Sequence, residues 1–446
     1  METAITTRRS RLRSAITKSI TISLLNFVWL LPVHAAFNLD PTFNGSGKVT
    51  VSFPDSSTTY RSQAFRVFLQ PNNRILVVGS FSNISPDGQL PGVAWAGLTP
   101  SGALDSGFGS GGTHTDWRSD ARTNFTDALM YADGSTLRIA QVSRLPVGSS
   151  TVQTVRLTAN GGVDNVFASN VSIGPCCFGF FTARPVQIAV RSDGKILALV
   201  TDEGGYFLYR LNSDGTRDTT FGANGVLRIG FNKFSPTNFI EMIAMNDGKI
   251  LLVGHVPPFD SPTGSSEFFF ARLTETGNWD KTFGRSGFVR VAFGSGLTGT
   301  VRKALLQADG NILLCGNVVS SDTDVWMARF RPNGRRDTTF GSDGVVVNDF
   351  APGATDIANS IAISPDGKIR IAGEIGSETT PSFLVARFSA TGAFEEQTSF
   401  SFTAGQNAGA SDVTLQPDGK LLVVGYTQNP NMSITGSVFA VARLTE

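Results

Sequence analysis

The sequence is poor in cysteine and histidine, with only three of each in 446 residues. A chain of this length with so few cysteines does not depend on a disulfide framework, and the His/Cys spacing of a structural zinc site is absent. His34 lies in an N-terminal leader, which leaves His114 and His255. Neither a Gly-x-Ser-x-Gly nor a His-Glu-x-x-His motif occurs, so the sequence predicts no catalytic residue.

Charge is also scarce. Charged residues make up 16% of the chain and the net charge is +1, which gives no electrostatic footprint for nucleic acid or for an anionic membrane surface. Removal of the leader, with five basic residues and one acidic residue, leaves a net charge of about −3. The 34 phenylalanines together with this low charge exclude a disordered chain.

The first 35 residues have the composition of a secretory signal peptide. Five basic residues precede an apolar stretch over 20–33, and Val33-His34-Ala35 offers small residues at the cleavage positions. This predicts an exported protein, which is periplasmic, secreted or at the cell surface. The stretch is short for a membrane span of about 20 residues, and an uncleaved anchor is the alternative. The rest of the chain has no apolar run of spanning length, so no membrane span is predicted in the mature protein.

Two apolar runs around a tight turn recur seven times. The turn is Asn72-Asn73 in the first copy and Asp-Gly in the others, and successive copies are 52 to 62 residues apart. Asp-Gly between apolar runs is a strong hairpin signal, and it predicts a type I′ turn. The six Asp-Gly turns begin at Asp133, Asp193, Asp247, Asp309, Asp366 and Asp418.

A second element follows each hairpin. An aspartate and a phenylalanine three residues later recur, as in Asp218 and Phe221, although the sixth copy lacks this aspartate. The seventh copy stops midway at Glu446, and residues 38–49 supply the missing continuation. The sequence therefore predicts an all-β fold for residues 36–446. We expect a seven-bladed β-propeller of four-stranded blades, whose ring is closed by segment 37–53 as it completes blade seven.

The repeat Pro-Asp-Gly-Lys-Leu-Leu-Val-Val-Gly, together with the Asp-x-Thr-Phe-Gly-x-x-Gly element, resembles the bacterial delta-60 repeat family. It is also loosely similar to NHL-type propeller repeats. The resemblance covers nearly all of residues 37–446. It implies an exported bacterial protein with propeller-like repeats and no established activity, so no catalytic residue is transferred from it.

Connection lengths indicate where a site would lie. The Asp-Gly turns and the links that follow the third strands are nearly constant in length, whereas the connections on the opposite face vary widely. Binding loops on a rigid scaffold are expected at such variable connections. The variable stretches are Ser80–Gly92, Val171–Pro185, His255–Glu267 and Tyr426–Ser433, and the candidate binding residues on this face are Trp117, Cys176, Cys177, Phe178, Phe181, Asp202 and His255.

The apolar loop that begins at Cys176 leaves two questions open. Cys176 and Cys177 are either two free thiols or a strained vicinal disulfide, and the aromatic residues that follow either plug the channel or form a contact platform. By contrast, Cys315 lies in a strand-like run and is predicted to be a small buried hydrophobe.

The repeated charged residues are expected to serve the scaffold. An arginine such as Arg210 recurs before each link and is expected to pair with the aspartate of that link or with a neighbouring blade. Calcium binding by these carboxylates is conceivable, although the Asp-x-Asp-x-Asp-Gly spacing is absent. No cofactor and no metal residues are predicted.

The sequence thus favours an exported, non-enzymatic binding module that contacts a protein or a glycan through its variable face. Two alternatives stay open. One is a lactonase-like hydrolase with a metal in the central channel, and the other is a purely structural cell-surface protein. The oligomeric state is not predicted.

Overall fold

The computed structural model describes residues 36–53, 60–85, 88–117, 121–144, 150–167, 184–202, 205–230, 238–256, 266–293, 297–377, 379–428 and 436–446. Throughout these ranges the regular secondary structure is β, so the prediction of an all-β fold is confirmed there. None of the described residues belongs to a helix that would span a bilayer. The predicted leader over residues 1–35 lies outside the described residues.

The strands are numbered along the chain. The first six are β1 (Asn38–Leu39), β2 (Lys48–Val51), β3 (Tyr60–Leu69), β4 (Ile75–Ser85), β5 (Gly88–Leu98) and β6 (Thr113–Asp116). Three strands follow, β7 (Ala121–Met130), β8 (Thr136–Arg144) and β9 (Ser150–Leu157). The next eight are β10 (Arg184–Val190), β11 (Ile196–Asp202), β12 (Gly205–Leu211), β13 (Val226–Ile229), β14 (Asn238–Ala244), β15 (Ile250–Val256), β16 (Glu267–Leu273) and β17 (Phe288–Ala292).

The remaining strands continue the same order of three long strands and one outer strand. They are β18 (Thr298–Leu306), β19 (Ile312–Val319), β20 (Thr323–Phe330), β21 (Val345–Asn348), β22 (Thr355–Ile363), β23 (Ile369–Ser377), β24 (Thr380–Phe388) and β25 (Phe394–Phe400). The last three are β26 (Ala408–Leu415), β27 (Leu421–Gln428) and β28 (Ser437–Thr445).

Consecutive strands pair antiparallel in sets, and each set is named here after its first strand. The β3, β10 and β14 sets are four-stranded sheets, and the described residues of the β7 set form three strands. The β18 and β22 sets have four strands each and are joined by one parallel pair, Thr323 with Thr355. In the β26 set the last strand, β28, pairs with both β1 and β2 from the beginning of the chain.

The hairpin turns follow the sequence pattern but are not of the expected type. Gly134 has a φ of 81° and its N–H bonds to the Tyr131 carbonyl, while Asp133 is not among the residues with positive φ. A type I′ turn needs positive φ at both central residues, so that prediction was wrong. Only the glycine takes the left-handed conformation, and the aspartate carboxylate instead accepts the Ser135 N–H at 2.8 Å.

A bulge interrupts the first strand of every set and explains a repeated glycine. In the β26 set the register shifts between Ala410 and Asp412, opposite Gly425. A Cβ on Gly425 would lie 1.9 Å from the carbonyl oxygen of Gly409, so the bulged backbone occupies the space of a side chain. Gly79, Gly316 and Gly373 stand opposite equivalent bulges.

We expect Gly425→Ala to destabilise the fold by about 1–3 kcal/mol, since the backbone of the bulge must move to admit the methyl group. Urea unfolding of residues 36–446 measures this difference. The control is Gly230→Ala, where no described atom lies within 4 Å of the added Cβ. Equal stability of the two variants would contradict the explanation given for the repeated glycine.

The core lies between neighbouring sets. The β3 and β26 sets share a cluster that includes Val67 and Phe81 from one set and Val424 and Phe439 from the other. Phe53, which follows β2, is buried in this cluster and meets the Phe439 ring edge-on at 4.7 Å between centroids. The first and last parts of the chain therefore share one apolar core.

Candidate binding cleft between the first and last strand sets

The described candidate residues lie where the sequence analysis placed them, at variable connections. Trp117 follows β6 and is exposed, and Asp202 ends β11 and is half-buried. His255 is half-buried in β15, close to its end. Cys176, Cys177, Phe178 and Phe181 lie outside the described residues.

The surroundings of His255 are those of a packed side chain. Its Nε2 lies 3.3 Å from the carbonyl oxygen of Val301 in the next set, and its ring stacks on Phe293 with 6.5 Å between centroids. Burial is the main influence on the imidazole and lowers its pKa. His255 is therefore neutral at pH 7 and links two neighbouring sets.

An open cleft of about 540 Å³ lies on the variable face between the β3 and β26 sets. One wall is formed by the beginning of β3, the second half of β4 and the beginning of β5. The other wall is formed by Asn407 before β26, the end of β27 and the beginning of β28, and two residues of β7 complete the lining. We call it the junction cleft. It is lined by Arg61, Ser62, Gln63, Phe65, Ser80, Phe81, Ser82, Pro91, Asn124, Phe125, Asn407, Tyr426, Gln428, Gly436 and Ser437.

Aromatic rings supply the apolar part of the junction cleft. The rings of Phe65 and Phe125 are nearly parallel, with centroids 5.7 Å apart, and both side chains are half-buried. Tyr426 stands on the other wall, where burial, together with the charge of Glu374, raises the pKa of its phenol to about 12. At neutral pH this hydroxyl is protonated and can donate a hydrogen bond.

Side-chain amides supply the polar part. Asn124, Asn407 and Gln428 line the junction cleft, and their side chains make no hydrogen bond with the described part of the chain. Each amide offers two donors and one acceptor oxygen to a ligand. Arg61 adds a positive charge at the exposed edge.

Two hydrogen bonds hold the walls of the cleft together. The Gln63 Nε2 donates to Ser411 Oγ at 3.3 Å, and the Ser62 hydroxyl donates to the Ser437 carbonyl at 3.4 Å. Both bonds join the β3 set to the β26 set, so the shape of the cleft depends on how these two sets meet.

Deeper in the fold, the residue that follows each first-strand bulge is polar. We call these residues the polar belt: Arg66, Asp127, Gln187, Glu241, Lys303, Ser360 and Asp412. Arg66 pairs with Asp127 at 2.8 Å, and Lys303 pairs with Glu241 at 3.0 Å. Asp412 accepts hydrogen bonds from Ser360 at 2.7 Å and from the Val67 N–H at 3.1 Å. The belt thus links successive sets.

The expected scaffold pairs are confirmed on the opposite face. Arg272 donates from Nε to Asp280 at 2.8 Å and from Nη1 to the Pro332 carbonyl in the next set at 2.6 Å. The same Arg–carboxylate contact occurs at 2.6 Å in Arg210–Asp218, 2.7 Å in Arg329–Asp337, 2.8 Å in Arg443–Asp40, 3.5 Å in Arg156–Asp164 and 2.9 Å in Arg387–Glu395.

Two copies lack one residue of this pair, and in each of them another residue makes the contact instead. Glu395 replaces the missing aspartate of the sixth copy. In the first copy Gly97 stands at the arginine position, and Arg74 from the hairpin reaches Asp105 at 2.5 Å instead. Burial alone would raise the pKa of Asp280, but hydrogen bonds from Thr282 and the charge of Arg272 lower it to about 2. The Asp280 carboxylate is therefore ionised at neutral pH and forms an ion pair with Arg272 that holds the scaffold.

Sequence reasoning predicted a site on the variable face but did not name the residues that line the junction cleft. The variable stretches Ser80–Gly92 and Tyr426–Ser433 include part of its wall. Phe65 and Asn124 lie on first strands, and Asn407 lies directly before the first strand of the last set, β26. Asn407 meets Phe65 through the contact between the two ends of the chain, and Asn124 joins them because β7 lies beside β3.

The comparisons with known proteins agree with a β-propeller fold. Residues 70–108, 191–221, 307–340, 364–396 and 416–446 match a family described as a domain of unknown function (DUF5122) beta-propeller. The chain thus carries β-propeller repeats, while the delta-60 resemblance stays a prediction. No curated protein matches the chain.

Several solved structures are similar at low identity. A protein of unknown function from Dyadobacter fermentans is 11% identical with a TM-score of 0.46, over 73% of this chain and 95% of that one. The β-propeller domain of the Trilobed protease from Pyrococcus furiosus is 9% identical with a TM-score of 0.43, over 83% and 94%. The Nup133 β-propeller domain from Vanderwaltozyma polyspora is 7% identical with a TM-score of 0.42, over 89% and 100%.

Proposed function

We propose that residues 36–446 form a seven-bladed propeller, exported and used as a binding module. The proposal of a closed ring is supported by contacts at the two ends of the chain. β2 pairs with β28 in the last set. The first strand of that set, β26, contacts the first strand of the preceding set, β22, and also the first strand of the β3 set, β3. Arg443 also donates to the Pro100 carbonyl, as the equivalent arginines donate to the next set. The predicted signal peptide supports export.

The ligand we propose is a glycan bound in the junction cleft. The observation that carries this is the set of three unpaired amides, Asn124, Asn407 and Gln428, beside half-buried aromatic rings. Sugars present hydroxyl groups around a ring whose faces are lined by C–H groups. Amides and a protonated phenol match the hydroxyls, and aromatic rings match the apolar faces. An open cleft at a set junction also admits a chain of several sugars.

A glycan array probed with residues 36–446 tests this proposal. For the best glycan, we expect the double variant Asn407→Ala, Gln428→Ala to bind about 10- to 30-fold more weakly in calorimetry, since each neutral hydrogen bond contributes about 1 kcal/mol. Asn278→Ala, an exposed amide on the opposite face, is the matched control and should bind as the native protein does.

An empty array, or a glycan whose affinity the double variant leaves unchanged, would refute the glycan proposal. In that event, capture of a protein partner that depends on Tyr426 would support the protein ligand. With neither, the purely structural role would be favoured.

A hydrolase is the second candidate, and one observation favours it. Glu374 is half-buried close to Tyr426, and burial raises the pKa of this carboxyl. A carboxyl that stays protonated nearer to neutral pH can act as a general acid. Hydrolysis would be supported if the native protein released products from the bound glycan and Glu374→Gln did not. Turnover unchanged by that substitution would assign Glu374 no role in it.

A further inference from the structure

We propose a Ca²⁺ site formed by Asp322, Asp324 and Asp349, which clamps the β18 set to the β22 set. The three carboxylates can each turn one oxygen towards a common point, with all three oxygens within 4.8 Å of one another. Oxygens this close together can share one cation, and Ca²⁺, which accepts flexible coordination by oxygen, suits three carboxylates from different segments better than Mg²⁺, which demands a near-ideal octahedron. The donors are oxygens alone, which is the preference of a hard cation.

The cluster carries an uncompensated buried charge. Asp324 is only 8% exposed, and within the described part of the chain its Oδ1 makes no hydrogen bond. None of the three carboxylates pairs with a lysine or arginine of the described residues. A buried carboxylate without a partner is costly, whereas other buried aspartates of this protein, such as Asp280 and Asp337, contact arginine.

A second buried carboxylate, that of Asp356, lies next to this cluster. Asp356 is 1% exposed, and its Oδ2 accepts the N–H groups of Phe350 at 2.6 Å and Ala351 at 3.1 Å. It thereby fixes the connection that carries Asp349. Its Oδ1 has no hydrogen-bond partner among the described residues.

The location gives the cation a structural role. Asp322 lies in the connection between β19 and β20, Asp324 is the second residue of β20, and Asp349 follows β21. The parallel pair Thr323–Thr355 joins the two sets at the same place, and Asp322 accepts the Gly353 N–H at 2.8 Å. A bound cation would hold the start of β20 against the connection between β21 and β22, next to this pair. The site lies on the variable face and uses none of the residues of the junction cleft.

Calorimetric titration of Ca²⁺ into chelator-treated residues 36–446 tests the site, with Mg²⁺ as the comparison ion. We expect one Ca²⁺ per chain with a Kd on the order of 10⁻⁴ M, as in extracellular modules, and weaker binding of Mg²⁺. Asp324→Asn should weaken Ca²⁺ binding about ten-fold or more, because affinity depends on the number of charged ligands. Asp343→Asn, at an exposed aspartate, is the control and should leave binding unchanged.

Thermal unfolding gives a second, independent readout. In EDTA, Asp324→Asn should melt at a higher temperature than the native protein, because the substitution removes an unpaired buried charge. In saturating Ca²⁺ the order should reverse, because only the native chain keeps all three charged ligands. No binding at millimolar Ca²⁺, or a lower melting temperature of Asp324→Asn under both conditions, would overturn the proposal.

Discussion

A chain that lacks residues 36–53 is expected to melt on the order of 10 °C or more below the chain that begins at residue 36, or to fail to fold. The segment supplies β1 and β2, both paired with β28. It also supplies Phe43, Val51 and Phe53, each no more than 2% exposed. Burial of each such side chain is worth about 2 kcal/mol. The summed loss is comparable to the total stability of a typical domain, about 5–15 kcal/mol.

The control for this deletion is a chain that lacks residues 1–35 alone, which should keep the melting temperature of the full chain. Scanning calorimetry compares the three chains. An ordinary terminal truncation removes frayed residues and costs little. A melting temperature unchanged by the loss of residues 36–53 would show that the first segment is not part of the last strand set.

The second large effect is expected for Asp40→Ala, with a loss of about 3–5 kcal/mol in the free energy of unfolding. Asp40 is 2% exposed and contacts Arg443 at 2.8 Å and Lys420 at 3.1 Å. Removal of the carboxylate leaves the Arg443 guanidinium buried beside the Phe43 ring without a counter-charge. A buried charge that has lost its partner costs more free energy than the intact pair contributes to stability. Removal of the Asp40 carboxylate alone therefore has this large effect.

Asp418→Asn is the matched control for Asp40→Ala, because both carboxylates contact Lys420. The Asp418 side chain is 56% exposed and lies 3.5 Å from the lysine, and exposed pairs of this kind contribute at most about 1 kcal/mol. Urea unfolding measures both variants. Equal losses in the free energy of unfolding for the two variants would show that the buried Asp40–Arg443 pair stabilises the fold no more than the exposed Asp418–Lys420 pair does.

The sequence predicted the elements whose signal is local. Asp193-Gly194 and Asp418-Gly419 marked hairpins because a left-handed glycine is required at the turn. The three-residue offset between Asp280 and Phe283 marked a link that Arg272 then holds. The turn type was missed because Asp-Gly also suits a turn in which only the glycine is left-handed.

The candidate site was only partly predictable because its residues are distant in sequence. Phe65 and Tyr426 line the same cleft although 361 positions separate them. In the cluster of Asp322, Asp324 and Asp349, the first two lie at the start of β20 and the third follows β21, so the three are not contained in one short calcium loop. Variable loop length predicts only a face for the site, and contacts between sets decide which side chains meet there.

The central claim of this account is that residues 48–53 are an integral part of the last strand set and of the core that this set shares with the β3 set. Hydrogen–deuterium exchange of the native protein tests it without any substitution. We predict that a peptide covering Lys48–Phe53 exchanges as slowly as one covering Leu421–Thr427 in β27, since β2 pairs through β28 with that strand. Complete exchange of the first peptide within seconds, while the second stays protected, would contradict the claim.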